Sequence, residues 1–228
     1  MRIPARFNGP PRSANGGYTC GLVAAILGGE AEVTLRVPPP LERELEVIAT
    51  DGRIEVRDGQ TLVAEGAPAS VDVEVPAAVS PAEAEAASAR YAGFDHHAYP
   101  TCFTCGPERK DGLGIFAGPV AGRDGLVAAT WTPEEEPAPE VVWAALDCPS
   151  GWAVDDFQRE GVLLGRMAAR IDRLPAPGEE YVVLGWRIGE EGRKRYAGSA
   201  LLTADGGVLA RSRSTWIVPS ETGPAPAA

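Results

Sequence analysis

Residues whose types and spacing could do chemistry occur in a few short clusters. Cys102 and Cys105 form a Cys-x-x-Cys pair, and the chain's two histidines, His96 and His97, lie just upstream. Two thiolates with one or two imidazoles could bind zinc tetrahedrally. Zinc sites usually come as two well-spaced pairs, whereas these ligands crowd into one short segment. The preferred reading is therefore a tight Cys-Gly turn with packed thiols and no metal. Asn15-Gly16-Gly17 precedes an apolar run and reads as a helix start. Unpaired backbone N–H groups there favour negative charge on oxygen, while Asn15 is suited to capping. Arg166, Arg170 and Arg173, with Arg193, Lys194 and Arg195, could contact phosphate groups on an otherwise acidic chain. The first three share one face if their segment is helical.

The elements that must position these groups come as two copies of one pattern. In the first, an apolar helix from Tyr18 to Leu27 stops at Gly28-Gly29. Ala31 to Val37 then alternates, with Val33, Leu35 and Val37 facing one way. After the Pro38-Pro39-Pro40 break come strands over 44–49, 53–57 and 61–65, with Asp51-Gly52 and Asp58-Gly59 as hairpin turns. In the second copy, Leu126 to Thr132 reads as a strand and Glu140 to Val154 mainly as a helix, weakened by Pro149 and Gly151. The apolar segment 162–171 carries two arginines, and Leu174 to Gly178 parallels the earlier proline break. Strands follow over 181–188, 196–203 and 208–218. Between the copies, the Ala/Glu-rich stretch from Ser80 to Tyr91, with Pro81 in its first turn, reads as a connecting helix. The expected division is a first unit over 1–78, a linker helix over 79–98, a second unit over 99–219 and a disordered tail over 220–228.

The bulk properties exclude several classes. A net charge of -11 and 44% hydrophobic residues over 228 positions describe an acidic globular chain, not a nucleic-acid binder. No apolar run approaches the roughly 20 residues that cross a bilayer, and no signal-type stretch follows the first eleven residues. A cytoplasmic protein with thiols rather than disulfides is the expectation.

Against this background, Cys102-Phe103-Thr104-Cys105-Gly106-Pro107, followed by Gly112-Leu113-Gly114-Ile115-Phe116, resembles the Cys-Phe-x-Cys-Gly…Gly-Leu-x-x-x-Phe opening of many hotdog-fold thioesterase-like proteins. Asn15-Gly16-Gly17 is similar to their His-Gly-Gly helix start, with Asn for His. Ala144-Ala145-Leu146-Asp147 and Gly151-Trp152-Ala153 are similar to the acidic part that follows such a start. The resemblance implies an α+β double hotdog, two antiparallel sheets each wrapped on a central helix. It covers nearly the whole chain as a pattern and about a fifth of it as specific motifs. Each copy keeps one part of the motif and has lost the other. The acidic position of the first copy falls on Ala24, and the glycine pair of the second falls on Pro139 and Glu140.

What the resemblance implies about the site follows from the antiparallel helices of hotdog pairs. A glycine and a carboxylate seven residues on are roughly 10 Å apart along one helix, too far to serve one carbonyl. Across a pair they meet, so Asn15, Gly16 and Gly17 would face Asp147 in a single composite site, leaving the mirror-related one dead. The amides would stabilise the oxyanion of an attacked thioester, and Asp147 would act as general base or nucleophile. Tyr18, Thr19, Ser150 and Trp152 are candidates to line the site, with Arg166 and Arg170 reaching for coenzyme A phosphates. Ser212 and Ser214 stand where some double-hotdog thioesterases carry a catalytic Gln. Trp131, Trp143, Trp186 and Trp216 are expected in the core.

The implied function is hydrolysis of an acyl-CoA or acyl-carrier-protein thioester, without cofactor, nucleic acid or membrane. A non-catalytic acyl-binding or assembly protein is the alternative. A hotdog dehydratase or hydratase is disfavoured, because no histidine lies on the motif helices. Exposed sheet edges could pair two copies into a homodimer.

Overall fold

The computed structural model describes residues 1–154 and 162–219, so the tail from Ser220 to Ala228 lies outside the described residues. The first helix, α1, spans Gly16–Leu27, followed by β1 (Ala31–Leu35), β2 (Glu46–Thr50), β3 (Arg53–Asp58) and β4 (Thr61–Pro68). A short helix, α2 (Pro81–Ser88), leads to β5 (Gly118–Pro119), β6 (Leu126–Trp131) and the long helix α3 (Pro139–Trp152). The chain ends in β7 (Leu163–Ile171), β8 (Tyr181–Glu191), β9 (Lys194–Thr203) and β10 (Val208–Ile217). No described helix is long and apolar enough to cross a membrane.

Local chemistry sets the boundaries. The Asn15 side chain accepts the Tyr18 N–H at the start of α1, and Gly28 ends it in the left-handed region. Asp51 and Gly52 both take positive φ, as a two-residue hairpin turn requires. Ser80 and Glu83 form a reciprocal capping box at α2, with Pro81 in its first turn. The segment carrying Arg166 and Arg170 is the strand β7 and not a helix. Its run Met167-Ala168-Ala169 is buried on both sides, which erased the alternation that marks a half-exposed strand.

The two units share one sheet. The strand order is β2-β3-β4-β1-β7-β10-β9-β8-β6-β5, ten strands in all. The sheet of the first unit joins that of the second where β1 pairs antiparallel with β7, Val33 opposite Met167. Helices α1 and α3 pack against each other and against this sheet, so each unit wraps its own helix, as expected of a double hotdog. The outer face of the rear strands is covered too. Ala84 and Ala87 of α2 pack there with Leu126, Val182, Leu184 and Ala200. This explains why β8 is apolar on both faces from Tyr181 to Trp186.

Candidate active site

The site begins with the contact between the two central helices. Gly17 and Gly21, one turn apart on α1, present bare backbone to α3. A Cβ on Gly17 would fall 2.5 Å from Asp147 Cβ, and one on Gly21 would fall 2.5 Å from Glu140 Cα. As numbers rise on one helix they fall on the other, so the helices run antiparallel. The glycines let them approach until the start of α1 reaches the middle of α3. There the Gly17 N–H donates to Asp147 Oδ2 at 2.9 Å.

Asp147 is 2% exposed. Burial pushes its carboxyl up to about 7, against the pull of the Gly17 N–H. Its other oxygen, Oδ1, is buried and has no hydrogen-bond partner among the described residues. Such an atom inside a protein marks a place where a further donor belongs, either water or substrate. The backbone around Asp147 is pinned from several sides. Ser199 donates to the Leu146 carbonyl at 2.6 Å, Ser150 to that of Asp147 at 2.7 Å, and Thr104 to that of Ala144 at 3.1 Å. Pro149 removes one donor from the helix interior, and these hydroxyls hold the carbonyls around that break. At Gly185 the Pro149 carbonyl comes so close to the sheet that a Cβ would lie 2.0 Å from its oxygen.

A cavity of about 260 Å³ opens beside this contact. Asn15, Gly16, Asp147 and Cys148 form one side of it, and Leu35, Val37, Leu164 and Trp216 supply an apolar wall drawn from both units. In the first turn of α1, the Gly17 N–H is held by Asp147, that of Tyr18 by the Asn15 side chain, and that of Thr19 by the Asn15 carbonyl. Gly16, at the head of that turn, borders the cavity.

The remaining sequence-derived residues are placed as follows. The Asn15 amide group contacts Thr104 Oγ1 at 3.4 Å, so its side chain both caps α1 and ties it to the Cys-x-x-Cys loop. Tyr18 stacks on Phe7 with ring centroids 3.8 Å apart, and the Thr19 hydroxyl donates to the Asn15 carbonyl. Ser150 bridges the Asp147 carbonyl and the Trp216 indole N–H, and Trp152 packs edge-on against Tyr91 and His97. These four support the site from behind and do not line the cavity. Arg166 pairs with Glu32 at 3.3 Å and Arg170 with Asp172 at 2.6 Å, both away from it. Arg170 instead borders a second hollow with Ala24 and Pro139, the mirror-related position that has no carboxylate counterpart to Asp147. Arg195 pairs with Glu190 and Lys194 approaches Glu191. Ser212 exchanges a hydrogen bond with Ser199, and Ser214 Oγ is buried with no partner among the described residues. Trp131, Trp143, Trp186 and Trp216 are all buried, although Trp216 also reaches the cavity wall.

The Cys102–Cys105 segment forms the expected turn, closed by the Gly106 N–H on the Cys102 carbonyl at 2.9 Å. His96 is exposed, while His97 Nε2 lies 3.4 Å from Cys105 Sγ. The sequence reading missed Cys148, whose sulfur comes within 3.7 Å of that of Cys102. It also missed Thr104 and Gly21, which pairs with Gly17 in the helix contact. The four-residue spacing of those glycines is a signal for close helix contact.

No protein-family model matches the chain, and no curated protein does. Solved structures do. A protein of unknown function with a hot dog fold from Alicyclobacillus acidocaldarius aligns over 97% of this chain and 92% of its own, with a TM-score of 0.64 and 10% identity. The tesB protein of Mycobacterium avium subspecies paratuberculosis aligns over 96% and 91%, with a TM-score of 0.60 and 11% identity. Acyl-CoA thioesterase II TesB2 from Mycobacterium marinum aligns over 92% and 90%, with a TM-score of 0.57 and 12% identity. The fold of the chain is that of the hotdog proteins, over both units.

Proposed function

We propose that this double-hotdog chain hydrolyses an acyl thioester, carried on coenzyme A or on an acyl-carrier protein, in the crevice where α1 meets α3. One observation carries the reading. A buried carboxylate is held by the helix start of the other unit at the wall of an apolar cavity. The likeness in fold to a protein named acyl-CoA thioesterase II supports coenzyme A as the carrier.

Each residue then has a defined task. The apolar wall around Leu35, Leu164 and Trp216 receives the acyl group. Gly17 fixes one oxygen of Asp147, which leaves Oδ1 to take a proton from water as the water oxygen attacks the thioester carbon. The negative charge that develops on the carbonyl oxygen is met by the Gly16 N–H and the positive end of the α1 dipole. Collapse of the tetrahedral intermediate breaks the C–S bond, and the proton held by Asp147 leaves with the thiolate. The products are one carboxylic acid and one thiol. Ser150, Ser199 and Thr104 act as positioning residues by holding the backbone of α3.

The test is a screen of acyl-CoAs of graded chain length with detection of free thiol, run beside the Asp147→Asn variant. Thiol release that depends on Asp147 supports the reading. Binding of acyl-CoA without thiol release favours the non-catalytic acyl-binding alternative.

A further inference from the structure

Cys102, Cys105 and Cys148 place their sulfur atoms within 4.8 Å of one another, and all three residues are buried. A tetrahedral metal with metal–sulfur bonds of about 2.3 Å has sulfur–sulfur edges of about 3.8 Å. The observed separation of Cys102 and Cys148 is 3.7 Å. Two of these ligands lie on the turn before β5 and the third on α3, so folding assembles the group from segments 43 residues or more apart in sequence.

Side-chain N–H donors face the sulfurs from two sides. The Asn15 side-chain amide points at two of the sulfurs, 4.0 Å from Cys102 and 3.9 Å from Cys148. On the third side, the Tyr99 N–H donates to His97 Nδ1 at 2.9 Å. The neutral ring must then carry its proton on Nε2, which faces Cys105 Sγ at 3.4 Å. N–H groups aimed at sulfur are the outer shell that metal-bound thiolates attract. No second cluster of three or more Cys, His, Asp or Glu ligands is found among the described residues.

We propose that Cys102, Cys105 and Cys148 bind a soft divalent cation of the zinc class, with Asn15 and His97 donating hydrogen bonds to its sulfur ligands. Binding replaces three thiol protons with the metal and fastens the Cys-x-x-Cys turn to α3 next to Asp147. All three cysteines also border the cavity. The proposal stands whether or not the chain hydrolyses thioesters, because its readouts are metal content and spectra.

The test uses the full chain, grown with added zinc and purified under reducing conditions without chelator or histidine tag. Elemental analysis should find one zinc per chain. Cys148→Ser should lower that content about tenfold or more, whereas Cys20→Ser, which alters a buried thiol of α1 outside the cluster, should retain it. Should Cys148→Ser fail to fold, the unaltered chain decides. After dialysis against chelator, with circular dichroism confirming that it stays folded, one equivalent of cobalt(II) should produce thiolate-to-metal charge-transfer and tetrahedral d–d bands. Metal-free protein as purified, together with no such bands on cobalt addition to the reduced chain, would overturn the assignment. So would a zinc content that is the same in wild type and in folded Cys148→Ser.

Discussion

The backbone amide of Gly17 and the carboxylate of Asp147 lie 130 residues apart in sequence and 2.9 Å apart in space. Neither unit contains both groups. The contact exists because β1 and β7 join the two sheets edge to edge and so set α1 and α3 antiparallel against each other. It also changes the part that Gly17 plays. Its amide holds the carboxylate, which leaves the oxyanion role in the proposed reaction to Gly16.

Asp147→Asn keeps the shape of the side chain and can still accept the Gly17 N–H, but it cannot take a proton from water. Hydrolysis is expected to fall by about 10²- to 10⁴-fold, the usual contribution of a general base. Thermal stability should hold or rise, since a buried ionisable group is replaced by a neutral one. Turnover equal to wild type would remove Asp147 from the chemistry. In a single turnover in ¹⁸O water, label found in Asp147 would establish the nucleophile role, since direct attack of water on the thioester cannot place it there.

Gly17→Ala puts a methyl group 2.6 Å from the Trp143 carbonyl oxygen, with Asp147 Cβ equally close. The two helices must move apart, at a cost of about 1–3 kcal/mol. Denaturant unfolding should register that loss. Gly189→Ala, where the added Cβ meets nothing within 4 Å, should stay within about 0.5 kcal/mol of wild type.

Glu140→Gln tests the asymmetry of the pair. Glu140 stands at the mirror image of the Gly17 position, and Ala24 occupies the mirror image of Asp147, so the second crevice lacks a carboxylate from the central helix, although Glu30 and Asp172 border it. Acyl-CoA hydrolysis should be unchanged. A substantial fall in kcat would mean that the second crevice also works.

Ser199→Ala removes the donor to the Leu146 carbonyl and leaves Ser212 without its partner. Stability should drop by about 1–3 kcal/mol, the cost of buried polar groups left unpaired. Because the strand pins α3 next to Asp147, kcat should fall with KM little changed. Ser199→Thr, which restores the hydroxyl, should recover part of both.

The capping box at α2 makes a prediction about pH. The Ser80 hydroxyl, then its backbone N–H, hold the Glu83 carboxyl below the usual range. A group whose pKa is lowered by folding stabilises the fold above its unfolded value, about 4.3 for Glu, and loses that contribution as pH falls through the folded one. The stability difference between wild type and Glu83→Gln should therefore be present at neutral pH and vanish in acid. A difference that is constant across that range would refute the linkage.

Much of the architecture was legible in the residues. Alternation marked the exposed-face strands, Gly28 and Asp51-Gly52 marked where helix and hairpin turn, and the halved motifs pointed to Asp147 and the helix start as partners. Such features are local, because a turn, a cap or a two-residue period is written within a few neighbours. The segment around Met167 was ambiguous because burial on both faces removes the period. Arg166 and Arg170 were expected at the ligand, yet the pleat of β7 turns them to carboxylates elsewhere. Tertiary structure alone could decide which N–H of the first turn Asp147 engages, how closely Gly17 and Gly21 let α3 approach, and that Cys148 joins Cys102 and Cys105. Those outcomes depend on distances between segments far apart in the chain, and such distances exist only once the two units have packed against each other.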